Sequence, residues 1–268
     1  MRLVLFSGTH SRHLFVNREV LKHFDEVLVI VMQREELTPC PPENISSHDR
    51  ELFIKHFANR YKVESSVYGN LCVDEVFGKC ETISITPEQL NTQDIANKIY
   101  KFKPDFCFIF GVDLILDPVI NSLPRDKVNL HLGLSPWFKG GATLFWPFYL
   151  LQPQYCGATF HQITKQADAG EIIHQCVPNL EIGDTIHDVA AKCVIKSVED
   201  LSLLFNHYKI KKCFSGRIQQ ASGRNWRGVD FHASQLRVIY DLFNDDIVDA
   251  YLNGMLEKGR PNLFTCLE

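Results

Sequence analysis

Apolar and polar positions fall in blocks along the chain. Residues 1–7 are mostly apolar and stop at Gly8, and Glu26–Met32 (EVLVIVM) and Asp105–Phe110 (DFCFIF) repeat that form. Short apolar runs bounded by turn residues suit strands buried on both faces. Thr82–Ile85 and Lys127–His131 read as two further strands. Between them the pattern predicts helices from about Phe15 to Phe24 and from Ser47 to about Tyr61, the second with Ser46 or Ser47 as its cap. Another helix is predicted to start at Thr86-Pro87-Glu88, with proline in the first turn, and to continue through Ile95–Phe102. Strands alternating with helices predict an α/β fold with a doubly wound, mainly parallel sheet.

The pattern changes after His131. Gly157–Ile163 and Glu171–Val177 are strand-like and joined by Thr164 to Gly170, close enough for a hairpin-like pair. A long helix then runs from Asp184 or Thr185 to about Tyr208. Its apolar positions, Ile186, Val189, Ala190, Cys193, Val194, Val198, Leu201 and Phe205, fall at helical spacing. Thr185-x-x-Asp188 resembles a capping box with Asp in place of Glu. Past Tyr208 the chain turns basic and polar. Residues 1–208 therefore read as a core and 209–268 as a small C-terminal unit for substrate contacts or dimerisation. A homodimer is expected if its apolar residues Leu236, Val238, Ile239, Leu242 and Phe243 are exposed.

Composition excludes several classes. The 268 residues are 45% apolar and 22% charged, ordinary globular values. A net charge of −4 gives no single-sign field for nucleic acid or an anionic membrane. No stretch approaches the roughly 20 apolar residues of a spanning helix. The apolar run Leu3–Phe6 is too short for a secretion signal, so a cytoplasmic protein is expected. The nine cysteines are scattered, with no CxxC, and read as reduced thiols acting as small hydrophobes.

Candidate chemistry centres on Asn129 and His131. Period 2 puts both side chains on one face of a predicted strand, with Val128 and Leu130 on the other. The strand ends there, since Gly133, Ser135 and Pro136 follow. Open α/β sheets bind ligands beyond the carboxyl ends of their strands. The surrounding run, NLHLGLSPWFKGGATLFWPFYLLQPQYCGATFHQITKQADAGEIIHQ, resembles the core of the formyltetrahydrofolate-dependent formyltransferases. NLHLGLSPWFKGG, an aromatic helix, GATFHQI and the loop ADAGEII appear in the family's order. The likeness is sharp from 129 to 175 and covers roughly residues 1–205 as a fold.

That resemblance implies a Rossmann-like core and a catalytic set of Asn129, His131 and Asp168. An amine attacking a formyl carbon builds an oxyanion. A preorganised donor such as Asn129 is typically worth ~10²–10³ in rate. His131 would handle protons or stabilise the oxyanion, for ~10²–10⁴. Asp168 would orient its ring and raise its pKa. His161 reads as a packed strand histidine or a neighbour of the site, and His174 as supporting or surface. A metal held by His131, His161, Asp168 and His174 is conceivable by residue type, but no paired spacing supports it and none is expected.

The co-substrate implied is N10-formyltetrahydrofolate, its pterin against Gly111, Val112, Leu114, Leu116, Thr164, Lys165 and Ala167. Leu114 and Leu116 read equally as core. Thr9, His10 and Arg12 follow the first strand, where α/β folds often cradle phosphate. With Lys139 they are the candidate substrate contacts, although Lys139 reads more readily as a solvated loop lysine. No GxGxxG or P-loop is present, which excludes dinucleotide and nucleoside-triphosphate readings. The basic run Lys209, Lys211, Lys212, Arg217, Arg224 and Arg227 contacts a diphosphate or is an exposed loop. Trp226 stacks a nucleotide or packs the small unit.

Three acceptors fit such a core. GLSPWFKGGATLFWP looks closest to the enzymes acting on nucleotide-linked amino sugars. Relatives acting on methionyl-tRNA usually carry a further C-terminal domain, and those acting on glycinamide ribonucleotide usually end soon after the long helix. Two other classes stay open: a formyltetrahydrofolate hydrolase, whose relatives carry an N-terminal regulatory domain, and a folate- or nucleotide-binding protein without turnover.

Overall fold

A computed structural model describes residues 1–33, 38–220 and 223–267. Strand β1 (Arg2–Ser7) leads into helix α1 (Ser11–Leu21), then β2 (Glu26–Met32), α2 (Ser47–Tyr68), the short α3 (Val73–Phe77) and β3 (Glu81–Ile85). Helix α4 (Gln93–Phe102), β4 (Phe106–Phe110), the short α5 (Val119–Ser122) and β5 (Lys127–His131) follow. The chain continues through β6 (Phe138–Gly140), α6 (Trp146–Tyr149), β7 (Ala158–Gln162), β8 (Ile172–Cys176) and the long α7 (Ile186–Lys211), and then β9 (Arg224–Trp226) and α8 (Ile247–Leu252).

Seven strands form one sheet in the order β3-β2-β1-β4-β5-β7-β8. The first five are parallel, and β7 and β8 add antiparallel neighbours. The expected doubly wound, mainly parallel sheet is thus present, with the hairpin-like pair at its far edge. Alternation on the strands builds a core on each face. Leu3, Leu5, Val29, Phe106 and Phe108 pack with Leu14, Val16 and Val20 of α1 and Val194, Leu201 and Phe205 of α7. Val4, Phe6, Leu28, Ile30 and Ile109 face the other way, onto Ile95, Ala96 and Ile99 of α4 and Val119 and Ile120 of α5. Val128 and Leu130 join the first core, which leaves Asn129 and His131 on the opposite face.

Some boundaries differ from those expected of the sequence. Helix α1 starts at Ser11, not near Phe15, with His10 as its extended cap. Only residues 8–10 separate it from β1, so Arg12 sits in the helix's first turn. Helix α2 runs to Tyr68, well past Tyr61. It stops at Gly69, whose φ of 74° favours glycine and ends the helix. Thr86-Pro87-Glu88 opens a separate short 3₁₀ turn, Pro87–Gln89, and α4 starts later, at Gln93. Ser46 is the cap of α2, accepting from the Asp49 N–H, and Thr185 and Asp188 form the expected capping box on α7.

The chain beyond α7 is knitted into the rest. Arg217 and Thr265 bridge to β8, covering the backbone of the sheet's edge strand. Trp226, Leu236, Ile239, Ile247 and Val248 share a third apolar cluster with Leu52 and Phe53 of α2, Trp146 of α6 and Val189 of α7. Arg237 also makes a two-pronged ion pair with Asp49 of α2, at 2.7 and 2.9 Å. Leu236 and Ile239 are fully buried within this cluster and Val238 and Phe243 are half-buried. The apolar run on which a homodimer was expected is therefore mostly spent inside the chain, leaving Leu242 as its exposed member. Among the described residues no helix is long and apolar enough to cross a membrane.

Truncating a fully buried leucine removes its transfer energy and leaves a cavity. Leu236→Ala is expected to lower the unfolding free energy by about 2–5 kcal/mol, read from urea denaturation. A change below about 0.5 kcal/mol, the range of ordinary surface substitutions, would contradict the burial of this segment in the common core.

Candidate active site

β5 ends at His131, on the side of the sheet where open α/β folds bind ligands. β7 lies antiparallel beside it and sets His161 opposite Asn129. The amide Nδ2 of Asn129 is 3.1 Å from His161 Nε2. Asp168, on the turn between β7 and β8, reaches back to both rings. Its Oδ2 is 3.4 Å from His131 Nδ1, and its Oδ1 is 3.3 Å from His161 Nε2. The N–H of Gly140 on β6 donates to Oδ2 at 2.8 Å. Asn129, His131 and Asp168, 39 positions apart at the extremes, thus meet around one carboxylate, with His161 as a fourth member.

The far nitrogens of the two rings fix the proton count. His131 Nε2 is 2.9 Å from the Phe138 carbonyl, and His161 Nδ1 is 2.9 Å from the Gln162 carbonyl. A carbonyl oxygen only accepts, so each of those nitrogens carries a hydrogen. A neutral imidazole has one N–H. The nitrogen that faces Asp168 can therefore donate to it only when its ring is protonated. In the neutral state of His161, that nitrogen instead accepts from the Asn129 amide. The cluster is built to take up a proton on an imidazole beside a carboxylate.

Electrostatics agree. Burial lowers the His131 pKa, and Asp168 opposes that shift without overcoming it. Burial alone would raise the Asp168 carboxyl. His131, His161 and the Gly140 N–H outweigh it and hold the group well below the usual carboxylate range. Asp168 stays ionised and His131 is easily deprotonated, the arrangement of a proton carrier with a fixed counter-charge.

A cleft of about 940 Å³ opens on this cluster. Asn129, His131, His161 and Asp168 line it. One wall is the loop Gly111–Ile115 with Ile163, Thr164, Gln166 and Ala167; the other carries His56, Phe57, Arg60, Phe145, His187 and Phe231. Of the cofactor and substrate contacts expected from the sequence, Gly111, Val112, Leu114, Thr164, Ala167 and Arg12 line the cleft.

Thr9, His10, Leu116, Lys139 and Lys165 stand outside its lining. Thr9 and His10 form the short approach to α1. The Leu116 N–H is taken by the Asn91 side chain at 2.7 Å, and Lys165 pairs with Asp117 at 2.5 Å. Lys139 lies between the two β6 residues whose backbone meets His131 and Asp168. Arg12 is on the wall but already paired with Glu64 at 2.8 Å. His174 turns away to Asp200 and Thr265, both at 2.9 Å. With Cys176 it forms a buried group whose ligand-type atoms lie within 4.8 Å of one another, and Lys196 also occupies Asp200.

The wall of His56, Arg60 and His187 was missed in the sequence. His56, Arg60 and Glu64 recur at every fourth position of α2, a spacing that could have marked them as one face. His187 follows the α7 cap by two residues. The rings of His56 and His187 lie 4.5 Å apart, and Tyr240 Oη is 2.9 Å from His56 Nδ1. Burial lowers both histidines, His187 to about 4.

A family model described as "Formyl transferase" matches residues 57–202, more than half of the sequence. The chain belongs to the formyl transferase family. It is an enzyme, a formyltransferase, and the matched region spans β4, β5, the Asp168 turn and most of α7. Solved structures of similar fold include a glycinamide ribonucleotide transformylase of Symbiobacterium toebii, 15% identical over 83% of this chain and 94% of that one, TM-score 0.54. A 4-N formyltransferase of Francisella tularensis is 18% identical over 86% of this chain and 77% of its own, TM-score 0.54. The formyltransferase PseJ of Anoxybacillus kamchatkensis is 17% identical over 92% and 96%, TM-score 0.50.

The buried cleft histidines make stability depend on acid. A histidine whose folded pKa is depressed binds its proton more weakly when folded. Its contribution is whole above about 6.5 and is lost as pH falls toward its folded value. Asp245, pushed up to about 6 by burial, works the opposite way, so the comparison must isolate one group. Between pH 6.5 and 4 the formyltransferase should lose stability more steeply than His187→Gln, by up to about 3 kcal/mol across the window. Parallel urea midpoints for the two proteins across that range would contradict the buried neutral state.

Proposed function

We propose that this formyltransferase moves the formyl group of N10-formyltetrahydrofolate onto the amine of a nucleotide-linked amino deoxysugar. The observation that carries the reading is the convergence of Asn129, His131 and Asp168 on one cleft with two unlike walls. The Gly111–Ile115 and Ile163–Asp168 loops offer backbone groups and apolar side chains to a flat ring. Among them Val112 and Leu114 would lie against a pterin, with Gly111, Thr164 and Ala167 presenting backbone at its edge. About 940 Å³ suits two substrates of this size held side by side. The folate supplies the formyl carbon.

The chain's own groups do the rest. An acceptor amine adds to the formyl carbon, forming a C–N bond and placing the carbonyl electron pair on oxygen; collapse of that oxyanion then breaks the bond from the carbon to N10. One Asn129 N–H is engaged by His161, and the second is available to the oxyanion that develops. The amine sheds a proton and N10 gains one. His131 is the carrier, its charge balanced by Asp168 when protonated. No covalent enzyme intermediate is called for.

The second wall favours this acceptor. His56, Phe57, Phe145, His187 and Phe231 give aromatic and imidazole faces, and Arg60 beside the Arg12–Glu64 pair leaves a net positive charge, which suits a base and its phosphates. Phe231 comes from the segment after α7, where substrate contacts were expected. PseJ, described in complex with a UDP-linked 4-formamido sugar and tetrahydrofolate, matches 92% of this chain; the glycinamide ribonucleotide transformylase matches 83%. The small-molecule partners inferred are thus folate and a nucleotide-linked amino sugar.

The test is to incubate the protein with N10-formyltetrahydrofolate and a panel of nucleotide-linked amino deoxysugars. A formylated sugar should appear by mass spectrometry. Asn129→Ala and Asp168→Ala should cut its rate by ~10²–10³ while the fold is retained by circular dichroism. Folate turnover with no formylated product would point to hydrolysis and overturn the acceptor reading. Near-wild-type rates in either variant would overturn the assigned roles.

A further inference from the structure

Asp168 holds a backbone φ of 48°, in the left-handed region that Asp and Asn enter more readily than other non-glycine residues. Its carboxylate is fixed by the Gly140 N–H of β6. Its main chain is fixed from elsewhere. Gln219, beyond the end of α7, donates its side-chain Nε2 to the Asp168 carbonyl and to the Gly170 carbonyl, both at 2.7 Å. One amide so spans the turn across Ala169. Gly170 is itself pressed against Gln162, with no room there for a Cβ. Arg217, two residues before Gln219, exchanges backbone hydrogen bonds with Ile172 of β8 at 2.8 Å in both directions, which holds Gln219 over the turn.

The same stretch of chain also grips β6. Arg224–Trp226 pairs in parallel with Phe138–Gly140, and the Gly141 N–H donates to the Trp226 carbonyl at 2.7 Å. The Trp226 ring stacks on Trp146, 3.9 Å between centroids, and the Trp146 Nε1–H holds the Gly141 carbonyl at 2.9 Å. β6 supplies the two backbone atoms that touch the catalytic pair, the Phe138 carbonyl on His131 and the Gly140 N–H on Asp168. Residues 217–220 and 223–226 therefore brace both supports of that pair.

We infer that Gln219 is a positioning residue for formyl transfer: its amide clamps the Asp168 turn and so sets the carboxylate against the His131 ring. The basic run after Tyr208 thereby gains a role through a neutral residue within it. Misplacing a catalytic group by about 1 Å can cost on the order of a hundredfold in rate. The clamp touches neither substrate, so its loss acts on kcat and spares KM.

This inference rests on the reading of Asp168 and His131 as the working pair, and not on which amine is the acceptor. The charged and titratable groups facing His131 are Asp168 from the β7–β8 turn and His161 from β7, so its titration reports their placement. Three variants are compared with wild type: Gln219→Ala, Gln219→Met, which keeps bulk but has no donor, and Asp168→Asn as a benchmark. Both Gln219 variants should lose about tenfold or more in kcat, with the folate KM within about threefold. Their His131 ring, followed by NMR against pH, should shift its midpoint in the same direction as in Asp168→Asn. A Gln219→Met protein with wild-type kcat and midpoint would overturn the inference and leave only packing. A loss confined to KM would overturn it as well. If wild type formylates no amino sugar, the acceptor reading fails, while the NMR titration still decides the role of Gln219.

Discussion

One ionised carboxylate between two imidazoles is the constraint around which the formyltransferase is arranged. Each ring has already given its far N–H to a backbone carbonyl, so a proton on the near nitrogen is the only way either can bond to Asp168. In a buried site that geometry sets charge as well as position. The carboxylate is kept ionised, burial favours the neutral form of His131, and Asn129 is held by His161 with an N–H to spare. Weakening the carboxylate's placement would disturb all three together, because they share hydrogen bonds and a counter-charge.

The sheet explains why these groups can meet. β5 delivers Asn129 and His131 to one face, and β7 runs back beside it so that His161 falls opposite Asn129. The β7–β8 turn then overhangs the end of β5, with Asp168 directed inward by its left-handed backbone. β6 crosses above as a short strand and contributes only main-chain atoms. The segment after α7 closes over β6 and that turn, and its later part, through Phe231, reaches the far wall of the cleft. A region that looks peripheral by composition is thus joined to the Asp168 turn by hydrogen bonds and to the α2–α6 core by apolar contacts.

The parallel strands, α7 and its capping box were legible from apolar runs and spacing, because each is specified by a short-range pattern along the chain. The pairing of Asn129 with His131 was legible for the same reason. Asp168 was reached only through family resemblance, since nothing local says that a residue 37 positions after His131 returns to it. The end of α2 was less legible, because it is set by the positive φ of Gly69 and not by an apolar pattern. Lys165 was expected at the pterin and Lys139 at the acceptor substrate, but an ion pair with Asp117 engages the first and strand β6 carries the second outside the lining. The clamp by Gln219 and the supports from Phe138 and Gly140 leave little trace in the sequence, because their partners are backbone atoms that any residue would supply.

The proposed mechanism makes His131 and Asp168 one unit, with catalysis depending on their coupling. A double-mutant cycle on formyl transfer, with His131→Gln, Asp168→Asn and the pair combined, measures it directly. The double variant should lose little more rate than the worse single one, since removing either partner already disables the couple. Losses that simply multiply would show the two groups working independently and contradict it.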